Sequence, residues 1–256
     1  MSETITSAAN PLVKDVKRAI ARGGLTERGW SVAEGFHLLE EALRSGSEIH
    51  GVLAAESTEL HGLDPGRVRV TRLPDRLFHE IATTETSQGI LALVKLPEWT
   101  PEQLFGPRAL VVMLDGIQDP GNAGTIVRAG EAFGATGAMF LKGSVSPFNP
   151  KTLRASSGSL FRLPFVHGVG PEAALERAVV TYAAVAESRG ARSIHEVDFT
   201  PPCAIAIGSE AHGVRESLRA AATPVYIPTT GVESLNAAMA ASVLLYEASR
   251  RRAPLQ

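Results

Sequence analysis

The run Ala109-Leu-Val-Val-Met-Leu114 contains no polar residue and no alternation. A strand with one wet face alternates polar and apolar positions, so an unbroken apolar run of this length predicts a strand covered on both faces. Shorter apolar runs recur at 138–141, 182–186, 204–207 and 225–227, separated by helical periodicity at 123–133, 171–178 and 214–220. A long Ala/Leu-rich helix follows and ends in the arginines at 250–252. Strands alternating with helices build a parallel sheet between helical layers. Periodicity alone therefore predicts an α/β protein with an ordinary doubly wound sheet.

The earlier part of the chain repeats the alternation on a smaller scale. NPLVKDVKRAIARGG (10–24) predicts a helix with Asn10 as its cap, Pro11 in the first position and Gly23-Gly24 as its stop. Strands are expected at 30–33, 49–54, 68–71 and 89–94, with helices at 35–44 and 74–81, giving a small three-layer α/β unit. Leu96-Pro-Glu-Trp-Thr-Pro-Glu is polar, carries two prolines and reads as a linker. The expected division is thus a unit over 1–96, a linker over 97–107 and a larger unit over 108–256. Nothing in the small unit demands chemistry. Glu34-Gly35 reads as a strand-end turn, and the loop at 83–89 reads as exposed.

Composition narrows the function classes. With 44% hydrophobic and 20% charged residues, the chain is that of an ordinary globular protein. No apolar run approaches a membrane span, and the N-terminal stretch lacks a signal-peptide core, so the cytoplasm is expected. The one cysteine, Cys203, sits in an apolar run and reads as a core residue; the seven histidines show no metal-ligand spacing, so no metal is expected. A net charge of −2 argues against holding nucleic acid by bulk charge. Cationic surface must be local: Lys14, Lys17, Arg18 and Arg22 form one group, and Lys151, Arg154 and Arg162 another. Each group also fits a solvated helix face.

Three loops carry the chemical signal. Asp119-Pro120-Gly121-Asn122 forms a turn and cap after the first long strand. The helix beyond it is small and apolar except for Arg128, which either pairs with Glu131 or faces a phosphate or reacting oxygen. A second strand opens into Gly208-Ser-Glu-Ala-His-Gly213, a glycine-bounded loop with a carboxylate inside. After the last strand, Pro228 and Gly231 shape a loop, Ser234 is the expected helix cap, and Asn236 falls in the first helical turn. Ligands of parallel α/β proteins bind at such strand ends. The glycine spacing is neither G-x-G-x-x-G nor a phosphate-binding P-loop, and no acidic residue closes the strand at Leu141, which opposes a Rossmann-type oxidoreductase.

As an ordered set, D-x-x-x-D-P-G-N-A-G-T-I-V-R-A-G (115–130), I-G-S-E-A-H-G (207–213) and I-P-T-T-G-V-E-S-L-N-A-A-M-A (227–240) resemble the three signature motifs of the SpoU/TrmH family. These are S-adenosylmethionine-dependent RNA ribose 2′-O-methyltransferases of the knotted SPOUT superfamily. FNPKTLRASSGSLFRLP (148–164) is similar to the family's intervening segment. NPLVK near the start and TSQGILALV (86–94) resemble the ribosomal-protein-like substrate-recognition domain of members that modify rRNA. In the last motif, Ala237 and Met239 replace the more usual valines while keeping an apolar helix face.

The resemblance implies a trefoil-knot α/β domain with a parallel sheet and a homodimer whose active site is completed across the interface. The implied cofactor is S-adenosylmethionine, held by Gly208, Gly213, Ile227, Leu235 and Asn236. Asn122 would fix the loop beside Arg128, Glu210 would order its own loop or the facing subunit, Ser234 would orient the phosphate or the arginine, and Asn236 would bond near the reacting centre. Because a guanidinium stays protonated, Arg128 is expected to stabilise the developing alkoxide rather than act as a base. Lys14, Lys17, Arg18, Lys151 and Arg154 are the expected RNA-backbone contacts. A requirement for the 2′-hydroxyl excludes DNA. The separate N-terminal unit favours 23S rRNA over tRNA as substrate. A non-catalytic RNA-binding or ribosome-assembly protein of the same fold is opposed by the presence of Asn122, Arg128 and Asn236.

Overall fold

The computed structural model describes residues 3–60, 68–177 and 180–252. They form two compact units, Met1–Pro97 with Ser146–Arg162, and Glu98–Val145 with Leu163–Gln256.

The first unit contains β1 (Glu3–Thr4), α1 (Pro11–Arg22), β2 (Ser31–Glu34), α2 (Phe36–Arg44), β3 (Glu48–Ala55), β4 (Val70–Leu73), α3 (Asp75–His79), β5 (Ile90–Lys95) and α6 (Pro150–Ala155). Its mixed sheet has the order β1-β4-β3-β5-β2. Asn10 caps α1 as expected, its Oδ1 accepting the Leu12 N–H at 2.9 Å, and Gly23 ends it with a left-handed φ of 60°. Val13, Val16 and Ala19, at helical spacing, bury that helix in a core with Leu53, Phe78, Leu91 and Leu93.

Two expectations for this unit need correction. The 83–89 loop is gathered around the buried Glu34 carboxylate, which accepts from Thr83 N at 2.8 Å, Thr84 Oγ1 at 2.9 Å and Ser87 Oγ at 2.6 Å. Residues 146–162, assigned from sequence to the larger unit, pack with the small one. There α6 lies against β2, Arg154 Nη1 donates to Thr83 Oγ1 at 2.9 Å, and Arg162 binds the Glu41 carboxylate. Gly158 makes the close approach possible, since a Cβ there would stand 2.7 Å from Glu41 Cβ. Burial pushes the Glu41 carboxyl up, but hydrogen bonds from Arg162 and Arg44 outweigh it and hold the pKa below the ordinary value.

The second unit contains α4 (Pro101–Leu104), β6 (Leu110–Asp115), α5 (Pro120–Ala132), β7 (Gly137–Leu141), β8 (Phe165–Val169), α7 (Pro171–Leu175), β9 (Val180–Ala184), β10 (Arg192–Ser193), β11 (Cys203–Gly208), α8 (Glu216–Ala221), β12 (Thr223–Tyr226) and α9 (Ala237–Arg252). The helix expected over 171–178 ends at Leu175, and Ala178 lies outside the described residues. The stretch read as a linker holds α4, whose Leu104 is fully buried against Gly137; a Cβ on Gly137 would come within 2.3 Å of Leu104 Cγ. Thr136 Oγ1 bonds the Leu104 carbonyl at 2.7 Å.

All pairings in the seven-stranded sheet are parallel, with the order β10-β12-β9-β11-β6-β7-β8. Every residue of β6 and β7 is buried, as their unbroken apolar runs require. The order departs from the doubly wound sheet that periodicity predicted. β11 lies between β6 and β9, and β12 between β9 and β10, so late strands enter between earlier ones. Local patterns do not encode such an order. The parallel arrangement gathers the loops after β6, β9, β11 and β12 at one edge.

α9 packs on α5 and on β11, and its last residue is tied down. The Arg252 guanidinium donates to the carbonyls of Phe199 at 2.6 Å, Arg108 and Ala109 at 2.9 Å, and Pro201 at 2.5 Å. It also lies 3.3 Å from Cys203 Sγ, a buried thiol whose pKa burial pushes up, which suits a core residue rather than a nucleophile. Among the described residues, no helix is long and apolar enough to cross a membrane.

Candidate active site

The site begins with helix caps. Asp119 is the N-cap of α5, its carboxylate accepting the Asn122 N–H at 2.7 Å, so Asn122 is held in the first turn. The cap of α9 is Asn236 rather than the expected Ser234: its Oδ1 accepts the N–H groups of Ala238 at 3.0 Å and Met239 at 3.3 Å. Ser234 is exposed on the preceding loop.

With its oxygen spent on the cap, Asn236 has its amide nitrogen free to bridge. Nδ2 donates to Asn122 Oδ1 at 3.1 Å and to Glu210 Oε1 at 2.5 Å, while Asn122 Nδ2 donates to the same Glu210 oxygen at 3.1 Å. One side chain from each of the three loops thus meets in a single cluster. Glu210, expected to order its own loop or a facing subunit, here turns one accepting oxygen toward the two amides.

The second loop is a tight turn. Gly213 N donates to Ser209 O at 2.8 Å, His212 N to Ser209 Oγ at 3.2 Å, and Gly213 adopts a φ of 66°. A Cβ on Gly208 would lie 1.9 Å from Gly213 C and 2.1 Å from Val214 N. Glycine is needed there because the loop's own return strand fills the space. Sequence reasoning did not single out the pair that anchors this return. Buried Asp115, at the end of β6, accepts from Arg215 N at 2.7 Å and from Arg215 Nε. The available signal was an acid closing an otherwise apolar run.

A cavity of about 450 Å³ opens on one side of the cluster. Gly208, Gly213, Ile227, Ser234, Leu235 and Asn236 all line it, so the structure brings the expected cofactor residues together. Glu187 and Glu233 line it too, and no lysine or arginine among the described residues does. Its chemistry fits a cationic ligand with a flat apolar part.

Arg128 is not at this cavity. It is exposed on α5 with Gly121, Thr125 and Ala132, at helical spacing, and no ion pair among the described residues engages it. The alternative of a structural bridge to Glu131 is therefore not what the structure shows. On α9 the exposed stripe is Met239, Val243, Tyr246 and Arg250, and Tyr246 meets Phe133 edge to face at 5.6 Å.

The basic residues divide. Lys14 and Lys151 are exposed and outside any ion pair among the described residues. Lys17 pairs with Glu80, and Arg18 with Glu27 at 2.7 Å, both at the surface. Arg154 is committed to Thr83 and stands 3.8 Å from buried Glu34.

A profile of the SpoU rRNA Methylase family matches residues 109–246, and one of the MRM3-like substrate binding domain matches residues 10–92. The chain is 34% identical over 247 residues to the 23S rRNA (guanosine(2553)-2′-O)-methyltransferase RlmP of Bacillus subtilis, covering 94% of this chain and 97% of that one. It is 32% identical over 194 residues to the 23S rRNA (uridine(2479)-2′-O)-methyltransferase of Streptomyces viridochromogenes, covering 72% of this chain and 68% of that one. The solved SpoU methyltransferase AviRb from Streptomyces viridochromogenes, in complex with AdoMet, matches with a TM-score of 0.81 at 26% identity, covering 95% of this chain and 99% of that one. With the three motif loops joined at one edge of a seven-stranded parallel sheet and both profiles in register, the chain belongs to the SpoU rRNA Methylase family.

Proposed function

We propose that this chain is an S-adenosylmethionine-dependent RNA ribose 2′-O-methyltransferase acting on 23S rRNA in the cytoplasm. The observation that carries the reading is the Asn122–Glu210–Asn236 cluster, which joins the three loops beside a cavity suited to a sulfonium ligand. S-adenosylmethionine, when bound, supplies an activated methyl group. Backbone groups of Gly208, Ile227 and Leu235 would hold it, Gly213 would close the loop beside it, and Leu235, Ala240 and Leu244 would supply apolar lining for its purine. The carboxylates of Glu187, Glu210 and Glu233 favour its positive charge. Asn236 and Ser234, beside this cavity, would orient the acceptor sugar and its phosphate.

The 2′-oxygen must lose its proton as it gains the methyl group. Arg128 supplies positive charge for the developing alkoxide and the neighbouring phosphate, and the proton leaves to phosphate or water. Since Arg128 lies outside its own chain's cavity, it acts at the site of a second copy. A homodimer through α5 and α9 is supported by exposed apolar surface. Met239, Val243 and Tyr246 on α9, with Val232 on the loop before it, are four of the six large hydrophobic residues exposed among those described, and the exposed small residues of α5 adjoin them. Lys14 and Lys151 hold the RNA backbone. Lys17 and Arg18 join them by exchanging weak surface pairs for phosphate, whereas Arg154 keeps its structural partners.

Tritium transfer from labelled S-adenosylmethionine, offering 23S rRNA and total tRNA separately, tests the reading. Label is expected in 23S rRNA, not in tRNA, and at least 100-fold less with Arg128→Ala, on the scale of losing a key charge-stabilising donor. Label in tRNA alone, or none in either pool, would refute it.

A further inference from the structure

Across the Asn122–Glu210–Asn236 cluster from the donor cavity lies a second cavity, of about 480 Å³. Ser209, Glu210, Gly213 and Ala237 line both, so the two cavities adjoin along this loop and the start of α9, at Glu210 of the cluster. We propose that this second cavity receives the nucleobase of the target nucleotide, and that Gln118 and His212 select which base is accepted. The inference rests on the methyl-transfer reading above and names its specificity determinants.

The charged groups around the cavity are already committed. Buried Asp115 is bound by Arg215, which also donates Nη2 to the Lys142 carbonyl at 2.7 Å. Asp119 caps α5, and Glu210 takes two amides. Among the described residues, Arg215 is the only arginine or lysine in the lining, so a phosphate would find no unpaired cation among them. The cavity suits a neutral ligand.

Gln118 and His212 are the exposed lining side chains that no hydrogen bond among the described residues engages. A carboxamide donates and accepts side by side, which matches the edge of a base, and an imidazole offers both a hydrogen bond and a flat face for stacking. Their backbones are fixed even though the side chains are free. His212 sits in the turn closed by Ser209 and Gly213, and Gln118 lies between buried Ile117, whose carbonyl accepts from Val145 N at 2.7 Å, and the capping Asp119. A selective site needs such rigid mounting.

The reaction itself sets the spacing. The acceptor oxygen belongs to the ribose, one glycosidic bond from the base. A ribose at the cluster, facing the donor, places its base in the adjoining space. Enzymes that do chemistry on a base turn its nucleotide out of the helix into a snug pocket, and a nucleotide seated here in the same way presents its ribose to the donor.

The test begins by locating the methylated nucleotide in 23S rRNA, then uses synthetic hairpins bearing each of the four bases, or an abasic sugar, at that position. We expect the wild-type enzyme to prefer one base by roughly 100-fold or more in kcat/KM, as a hydrogen-bonding site does. In the Gln118→Ala/His212→Ala double variant the preference should fall to about 10-fold or less, with S-adenosylmethionine affinity unchanged. The abasic hairpin should bind the wild-type enzyme more weakly than the intact one, and the double variant with little difference. A double variant that keeps the wild-type preference, or a wild-type enzyme indifferent to the abasic sugar, would overturn the assignment. Failure of the underlying reading looks different: the wild-type enzyme would methylate neither 23S rRNA nor any hairpin.

Discussion

Asn122 and Asn236 lie 114 residues apart in sequence, yet their amides meet at 3.1 Å, and both donate to one oxygen of Glu210. A carboxylate only accepts, so both amide nitrogens must turn toward it, and the cluster has one self-consistent orientation. Replacing Glu210 with alanine removes the acceptor both amides share, leaves only the Asn236–Asn122 bond, and lets the loop after β11 drift from those after β6 and β12. Calorimetry of Glu210→Ala should show S-adenosylmethionine affinity about tenfold weaker, near 1.4 kcal/mol. Because the cluster is exposed, the melting temperature should change little.

Gly208 and Gly213 bound the same loop but should respond differently to alanine. At Gly208 the new Cβ meets backbone at 1.9 Å, and backbone cannot step aside cheaply. Gly208→Ala should cost more than about 2 kcal/mol of stability and abolish cofactor binding. Gly213 has open space around it, and only its φ of 66° favours glycine, so Gly213→Ala should cost about 1 kcal/mol. Chemical denaturation of the two variants measures the difference.

Arg252 closes the C-terminal helix by donating to four carbonyls, from Phe199, Arg108, Ala109 and Pro201. Arg252→Ala deprives those acceptors and frees the end of α9. Thermal unfolding should show a loss of about 2–4 kcal/mol. A lysine cannot reproduce the planar fork, so Arg252→Lys should recover only part of it.

Glu247, buried within α9, has its pKa lowered to about 2, chiefly by hydrogen bonding to Arg250 and then to Arg251, against the effect of burial. A carboxyl depressed in the folded state stabilises the fold above its unfolded pKa and loses that contribution as pH falls. Stability should therefore decline progressively between about pH 4.5 and pH 2, by on the order of 2 kcal/mol from this group. Glu247→Gln should flatten that part of the pH profile of urea unfolding.

If Arg128 of one copy serves the cavity of the other, two inactive variants should rescue each other. Arg128→Ala and Asn236→Ala, mixed after reversible unfolding, should regain roughly a quarter of wild-type activity, since half of the random dimers carry one intact site of two. Mixtures no more active than their parents would place both residues in the same chain's site.

Local chemistry was legible in the sequence where it was unambiguous. Asn10, Pro11 and Gly23 bracket α1 because each has a single role available there. Before α9, Ser234 and Asn236 both suit a cap, and what decides between them is distant: Glu210 holds the Asn236 amide. Thr100 and Gln103 spell a capping box for α4, but the prolines around them read more strongly as a linker. β8 was not expected, because its exposed His167 and Gly168 break the apolar pattern at the sheet edge. The insertion of β11 and β12 among earlier strands leaves no local trace, and only the ordered motifs pointed beyond a doubly wound sheet.

The most direct measurement is the chemical identity of the product. 23S rRNA incubated with the protein and labelled S-adenosylmethionine is digested to nucleosides, and the labelled position is mapped by its resistance to alkaline cleavage. The account predicts a single 2′-O-methylated nucleoside at one position, absent when Asn236 is replaced by alanine. Label on a base, or none despite cofactor binding, would contradict it.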